Sequence, residues 1–346
     1  MENKKTLIKQ FSHTDLDGVG SALLLQALLQ EQKGYVAENY LPVGYSEPGA
    51  DGTIDKHILN FIQTNEEAVT ELYITDICPS DEVISQLSAY CKDNEITWHI
   101  FDHHVTSVHV NEIYPHNASI IVSDEATGLK HSATSVLFKI LVGKMPTELF
   151  EDEKWQRLAN VADIIRCYDC WDWQLNPNAA YKESAAEFNN LFYFYSWDKR
   201  IELMGSVMSA GLPLLKDYAE IIAALKEKEE DYVRRKTLKA QFGILDGKTF
   251  AYSFGEQYTS VLGNALAHLE HPETKKEVDF SFVLNGKGVS LRTNNDDIDL
   301  SVLAARYFNG GGHKRASGGA FAEIQYFISD SENPEQAPTL FLDLKR

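Results

Sequence analysis

The sequence is poor in cysteine and in basic residues. Four cysteines in 346 residues are too few for a disulfide scaffold. Cys167 and Cys170 form a C-x-x-C, but no second pair exists to complete a zinc site, so we expect plain reduced thiols. Lys and Arg number 32 against 51 Asp and Glu, which gives a net charge of −19. Such a surface repels polyanions, so a long nucleic-acid duplex is excluded as a preferred partner.

Long apolar runs are also absent. No segment approaches the roughly 18 apolar residues that span a bilayer. The start, MENKKTLIKQFSH, lacks the apolar core and the cleavage site of a secretory signal. We therefore expect a cytoplasmic protein without a membrane partner. The chain instead has the balance of a globular protein, with 44% hydrophobic and 24% charged residues, and this excludes disorder over most of its length.

The first half alternates short apolar runs with helical patterns. That alternation predicts an α/β fold in which a mostly parallel sheet is flanked by helices. We predict strands over residues 7–13, 71–77 and 97–103, helices over 18–32, 148–170 and 214–242, and a further helix that starts near Pro79.

From Phe250 onwards hairpin signals replace this pattern. The N-G-K-G of residues 285–288 predicts a tight turn between two strands. Helices predicted over residues 258–268 and 300–308 complete a second, smaller α/β domain. We therefore expect an N-terminal domain over residues 1–200, a helical connector over 201–242 and a C-terminal domain over 243–346, with the boundary between about residues 200 and 245.

Acidic and imidazole side chains follow all three predicted strands of the first half. They are His13, Asp15 and Asp17 after the first strand, Asp76 after the second, and Asp102, His103 and His104 after the third. The carboxyl ends of parallel strands line one crevice, so these groups can converge. Unneutralised carboxylates would raise one another's pKa values, whereas divalent cations would use them as ligands. Mixed Asp and His ligands suit manganese, zinc or iron better than calcium.

A simpler interpretation exists for each residue alone. A single Asp at a strand end is often only a helix N-cap, and Asp102 fits such a structural role. Three strand ends with the same chemistry are harder to explain in this way, so the pattern predicts a two-metal site.

These motifs resemble a known family. The segments FSHTDLDGVGSALL, ITDICPSD and FDHHVTS, followed by GGGHKRASGG, are similar to those of the DHH phosphoesterases with a C-terminal DHHA1 domain. That family includes RecJ-type exonucleases, nanoRNases (oligoribonucleases) that also act on pAp, and cyclic dinucleotide phosphodiesterases. The motifs occur in family order over almost the whole chain.

The resemblance implies the roles of the metal ligands. His13 and Asp15 would hold one divalent ion, Asp17 and His103 the other, and Asp76 would bridge both. We expect two ions, with Mn²⁺ as the favoured metal, which clamp a phosphate and lower the pKa of a water between them.

The resemblance also assigns two further positions. His104 would lie beside the scissile phosphate or orient the site, and it is therefore a catalytic candidate together with Asp76. For the fourth metal motif we expect Asp169 in the Y-D-x-W segment. Asp163, in a V-A-D that resembles the RecJ form, and Asp172 are the alternatives.

The glycine-rich segment of the second domain resembles the DHHA1 substrate loop. Gly310, Gly311 and Gly312 would let backbone N–H groups approach a phosphate closely, because no Cβ stands in the way. His313 would add a donor. Arg292, on an S-L-R strand, suits bidentate phosphate recognition. We expect these residues to bind substrate, although a lone glycine triplet is usually only a turn.

The resulting functional hypothesis is a metal-dependent phosphodiesterase that cleaves short single-stranded oligonucleotides, RNA or DNA, to mononucleotides. One alternative is hydrolysis of pAp or of linear or cyclic dinucleotides. Another is a catalytically silent nucleotide-binding scaffold, which the intact ligand motifs disfavour. An inorganic pyrophosphatase would share the N-terminal motifs but not GGGHKRASGG. The sequence leaves open the polarity of attack and the formation of a homodimer.

Overall fold

A computed structural model of the chain describes residues 8–33, 40–42, 53–64, 69–143, 152–172 and 179–321. The chain divides into two compact units, Met1–Leu225 and Lys226–Arg346. The division falls within the helical connector expected from the sequence, and the three-part division into domains stays a prediction.

A parallel sheet of five strands forms the centre of the first unit. The strands are β1 (Ile8–Ser12), β2 (Tyr40–Pro42), β3 (Glu71–Thr75), β4 (Thr97–Asp102) and β5 (Ala118–Ile120), in the spatial order β2-β1-β3-β4-β5. The α/β class and the three predicted strands are confirmed, residue 7 of the first prediction lying outside the described residues. β2 and β5 were not predicted, because three residues are too few to establish an alternating pattern.

Helices pack on both faces of this sheet. They are α1 (Leu16–Lys33), α2 (Ile54–Thr64), α3 (Asp81–Asp93), α4 (Val110–Ile113), α5 (Ala133–Val142), α6 (Glu153–Asp169), α7 (Ala179–Phe194) and α8 (Trp197–Ala210). One core lies between the sheet and α1, α5, α6, α7 and α8; the other includes side chains of α2 and α3. Successive strand residues point to opposite faces, so Tyr73 enters the first core and Ile74 the second.

The predicted helices of the first unit are largely confirmed. α1 covers the prediction over residues 18–32 and α6 the prediction over 148–170, of which residues 148–151 lie outside the described part. The helix predicted after Pro79 is α3, with Ser80 as its N-cap residue.

The helix predicted over residues 214–242 is wrong at both ends. A 3₁₀-helix covers Leu212–Tyr218, α9 covers Ala219–Thr237, and a strand, β6 (Gln241–Leu245), follows. β6 pairs with β7 (Lys248–Phe254) through Asp246 and Gly247, whose φ values are 52° and 74°. Asp-Gly with two positive φ angles is a favoured two-residue hairpin turn, and that signal explains why the helix ends earlier.

The second unit contains a mixed sheet of six strands. Besides β6 and β7 it has β8 (Phe280–Asn285), β9 (Gly288–Arg292), β10 (Gly311–His313) and β11 (Ala316–Ala320), in the order β10-β11-β9-β8-β7-β6. The turn predicted at N-G-K-G joins β8 to β9. Helix α10 (Thr259–Ala267) packs on one face and α11 (Leu300–Phe308) on the other, close to the two helices predicted there.

The four cysteines, all of which lie in the described part of the chain, form no disulfide. Over the ranges described above, no helix is both long enough and apolar enough to cross a bilayer.

Candidate metal centre

The C-terminal ends of three adjacent strands carry the polar cluster that the sequence predicts. β1, β3 and β4 are neighbours in the sheet and run parallel. His13 follows β1, Asp76 follows β3 and His103 follows β4. Side chains far apart in sequence therefore meet at one edge of the sheet.

Asp15 has both a structural contact and a contact in the cluster. It precedes the first residue of α1, and its Oδ1 accepts a 2.9 Å hydrogen bond from the backbone N–H of Gly18, so it caps that helix. Its Oδ2 lies 2.9 Å from Nδ1 of His13. The turn is tight, because a Cβ on Gly18 would overlap the backbone of His13. Gly18 therefore lets Asp15 and His13 face each other.

Asp17 lies in the first turn of α1 and contacts the start of another helix. Its two carboxylate oxygens accept hydrogen bonds from the backbone N–H groups of Ala133, at 2.7 Å, and Thr134, at 2.9 Å. These are N–H groups of the first turn of α5, which have no partner within their own helix. Asp17 is buried, and its Oδ2 lies 3.8 Å from Nε2 of His103. The N-terminus of α5 therefore fixes the Asp17 carboxylate beside His103.

Asp76 lies at the centre of the cluster. Its oxygens lie 3.6 Å from Nδ1 of His13 and 3.4 Å from Nε2 of His103. Its backbone has a φ of 60°, a left-handed conformation that Asp tolerates better than most residues, and its N–H donates to the carbonyl of Phe101 at 2.9 Å. Within the described residues, Oδ2 of this buried carboxylate has no hydrogen-bond partner.

The structure separates the three candidates for the fourth metal motif. Asp169, the last residue of α6, places Oδ2 3.3 Å from Nε2 of His103. Asp163 and Asp172 instead each lie 2.7 Å from a nitrogen of the Arg166 guanidinium. Asp169 is therefore the member of this set that contacts the cluster.

A buried carboxylate orients His104. Oδ1 of Asp102 lies 2.7 Å from Nδ1 of His104 and accepts a 2.8 Å hydrogen bond from the backbone N–H of His103. Asp102 is fully buried. Burial alone would lower the pKa of His104, but Asp102 outweighs it and raises that pKa to about 9. Asp102 therefore fixes this imidazole, whereas the N-cap position of the short helix that follows belongs to His104.

Burial and neighbouring charges shift the pKa values of the cluster residues. Burial, followed by the charges of Asp15 and Asp17, raises the pKa of Asp76 well above its usual range. Burial likewise raises the pKa of Asp169 to about 7. For His13 burial acts downwards, but the Asp15 carboxylate outweighs it and the pKa rises to about 11. These shifts favour the protonated forms of Asp76 and Asp169, and divalent cations bound there would compete with those protons.

The ligand atoms form compact groups of a size that fits a metal ion. His13, Asp15 and Asp76 form one group, Asp17, His103 and Asp169 form another, and in each the ligand atoms lie within 4.8 Å of one another. A third group shares Asp76 and His103 with these and adds Asp102 and His104. The Asp76 oxygen that lacks a hydrogen bond to any described residue and the mixture of imidazole and carboxylate both fit divalent cations.

The predicted substrate residues lie in the second unit. The Arg292 guanidinium donates to the hydroxyls of Ser260, at 2.6 Å, and Ser290, at 3.1 Å, and to the carbonyl of Leu291 at 2.7 Å. Its side chain passes over Gly263, where a Cβ would come within 2.9 Å of it. These three hydrogen bonds help to hold the Arg292 guanidinium in place.

The glycine triplet belongs to a hairpin rather than to an open loop. Gly311, Gly312 and His313 form the edge strand β10, paired with β11. A Cβ at Gly310 would overlap the carbonyl of Gly318, whereas at Gly311 no atom of the described residues lies within 4 Å. Close packing thus accounts for Gly310, while no described residue fills the space beside Gly311.

Two contributions to the site were missed by sequence reasoning. Arg166 pairs with two of the three acidic candidates, and the N-terminus of α5 holds Asp17. The first was readable as an i,i+3 pair with Asp163 on one helix. The second joins residues more than 100 positions apart and had no local signal.

Comparison with known proteins agrees with this geometry. Residues 7–166 match the model of the DHH family, N-terminal domain. Oligoribonuclease NrnB of Bacillus subtilis (strain 168) is 27% identical over 331 residues, which cover 93% of this chain and 75% of that protein.

Two solved structures show the same fold. The DHH domain of a member of the s1p family of ribosomal proteins is 15% identical, with a TM-score of 0.58, and the superposition covers 91% of this chain and 82% of that chain. Exonuclease RecJ bound to manganese is also 15% identical, with a TM-score of 0.53, and the superposition covers 92% of this chain and 86% of that chain. The first unit therefore has the RecJ-like fold, and its residues 7–166 belong to the DHH family as an N-terminal domain.

Proposed function

We propose that this protein is a metal-dependent phosphodiesterase that hydrolyses short oligonucleotides to mononucleotides. The membership of residues 7–166 in the DHH family and the similarity to a protein named oligoribonuclease support a nuclease or phosphoesterase. The RecJ structure of the same fold contains manganese, which supports a divalent metal. The net charge of −19 favours short substrates over long strands.

The observation that carries the proposal is the position of Asp76. It belongs to one ligand group with His13 and Asp15 and lies 3.4 Å from His103, a member of the other group. One carboxylate between two ligand sets is the arrangement that a bridging ligand requires. In this proposal His13 and Asp15 complete the first metal site, and Asp17, His103 and Asp169 complete the second.

Two cations bound there, with Mn²⁺ favoured, would supply Lewis-acid stabilisation of the phosphate and would lower the pKa of a water. The protein's own part is to hold the ligands rigidly. Asp102 binds Nδ1 of His104. In this proposal Nε2 is therefore the ring atom that would contact a phosphate oxygen. No covalent intermediate with the protein is required.

We assign substrate binding to the second unit, as a DHHA1 domain. Its candidate residues are Arg292, the Gly310–Gly312 triplet and His313. Arg292 carries a positive charge held by hydroxyl groups, and Gly311 leaves open space at an edge strand. Both features suit a phosphate or sugar.

A panel of substrates tests the proposal and its alternative. Purified protein with Mn²⁺ is incubated with 2-mer, 5-mer and 20-mer RNA and DNA and with pAp, and the products are separated by chromatography. We expect mononucleotides from the 2-mer and 5-mer and slower cleavage of the 20-mer. Hydrolysis of pAp alone would favour the small-nucleotide alternative, and no hydrolysis of any substrate would favour a silent scaffold.

A further inference from the structure

A buried arginine, Arg166, lies on α6 three residues before Asp169, a member of the second group of ligands. The side chain of Arg166 is 7% exposed, while those of its partners Asp163 and Asp172 are 47% and 30% exposed. Burying a guanidinium is costly unless its N–H groups are satisfied, and a buried ion pair is often no more stabilising than apolar side chains of similar volume. Stability alone is therefore a weak reason for this arrangement.

The contacts of Arg166 join two segments of the chain. Within α6 its Nε donates to Asp163, and beyond the helix end its Nη1 donates to Asp172. The same Nη1 donates to the carbonyl of Lys130 at 3.3 Å, in the loop before α5. A second bond joins these segments, because Sγ of Cys170 lies 3.2 Å from the carbonyl oxygen of His131.

Each of these segments supports one ligand of the second group. Asp169 lies between Arg166 and Asp172, at the end of α6. Ala133 and Thr134, which bind the Asp17 carboxylate, follow the Lys130 loop directly. The link between the two segments therefore sets the distance between Asp169 and Asp17. The first group, His13, Asp15 and Asp76, is carried by other segments.

We propose that Arg166 is a positioning residue that fixes the spacing of Asp17 and Asp169 and so determines the affinity of the second cation, but not that of the first. This proposal rests on the proposed two-metal function. A lysine cannot replace the arginine fully, because a single ammonium lacks the planar fork that reaches Asp163, Asp172 and the Lys130 carbonyl together.

The test is a titration of metal-free full-length protein with Mn²⁺ by calorimetry. It compares the wild type with Arg166→Met and Arg166→Lys. Arg157→Met is the matched control, since it makes the same change on the same helix, nine residues closer to the N-terminus. Thermal unfolding of each metal-free variant shows whether it is folded. If Arg166→Met does not fold, Asp172→Asn, which removes one partner at a half-buried position, takes its place.

We expect two binding steps in the wild type and in Arg157→Met. In Arg166→Met one of the two steps should lose about 10- to 100-fold in affinity, the usual effect of removing a group that supports a ligand, while the other step changes less than about twofold. For Arg166→Lys we expect the affinity of the affected step to lie between the wild-type value and the Arg166→Met value. A purely structural role would lower the unfolding temperature and leave both affinities of the folded protein unchanged.

The failure of this proposal is distinguishable from failure of the proposed function. Two unchanged steps in a folded Arg166→Met protein, or an equal loss in both steps, would overturn the positioning role and leave the two-metal function intact. Fewer than two steps in the wild type would instead overturn the two-metal function.

Discussion

At the residue scale, the candidate ligands also stabilise the fold. Asp15 caps α1 and Asp17 binds the first turn of α5, so each has one set of contacts in the protein framework and another in the cluster. Asp76 differs, because its Oδ2 is buried without a hydrogen bond to any other residue in the described part of the chain. Its carboxylate is therefore best explained by the cations that the proposed function requires.

The role of Asp76 can be separated from that of the other acidic residues. We expect Asp76→Asn to reduce turnover at least about 100-fold, because a bridging ligand serves both cations. Asn keeps the left-handed backbone accessible and removes only the charge. Steady-state hydrolysis of a dinucleotide in saturating Mn²⁺ measures the effect.

The same assay decides the fourth ligand. Asp169→Asn should lose far more activity than Asp163→Asn, for which we expect less than about a tenfold loss because Arg166 retains Asp172. An inactive Asp163→Asn beside a normal Asp169→Asn would show that the ligand is Asp163.

At the scale of elements, the turn between β1 and α1 creates the first half of the cluster. We expect Gly18→Ala to destabilise the protein by about 2 to 4 kcal/mol, because the added Cβ meets the backbone of His13, which cannot move aside. Urea unfolding of the metal-free protein measures this.

A second helical glycine provides the control. A Cβ at Gly205, in α8, would meet no atom within 4 Å in the part of the chain that the structure describes. Gly205→Ala should therefore stabilise the protein by roughly 0.5 to 1 kcal/mol, through helix propensity alone. Equal effects of the two substitutions would refute the steric account of Gly18.

The elements that the sequence predicted well are those with strong periodicity. The buried strands at residues 71–77 and 97–103 and the helix at 300–308 have regular apolar spacing and appear close to the predicted bounds. The helix predicted over 214–242 extended too far because its charged pattern runs into the Asp246-Gly247 hairpin, whose turn signal was overlooked. Short strands such as β2 gave no pattern at all.

The sequence predicted the ligand residues of the site but not the contacts that hold them in place. The cluster follows from one rule, that parallel strands end at the same edge, and that rule brought His13, Asp76 and His103 together. The bond between Asp17 and α5 and the link from Arg166 to the Lys130 loop depend on tertiary packing. Such tertiary contacts produce no recognisable pattern within a short stretch of sequence.

At the scale of the whole molecule, we propose that catalysis and substrate binding are divided between the two units. We expect Arg292→Ala to weaken dinucleotide hydrolysis by about 1.5 to 3 kcal/mol in kcat/KM, the usual loss for a charge-assisted hydrogen bond. The Mn²⁺ content should not change, because Arg292 belongs to neither ligand group. Metal analysis beside the kinetics checks both statements, and loss of Mn²⁺ would give Arg292 a structural role instead.

The decisive measurement for the proposed function is the dependence of hydrolysis on bound metal. A dinucleotide is incubated with metal-free protein, with protein supplied with Mn²⁺, and with the Mn²⁺-supplied protein after excess EDTA. The proposed metal-dependent mechanism requires mononucleotide products with Mn²⁺ alone, and none in the other two samples. Full hydrolysis in excess EDTA would contradict it.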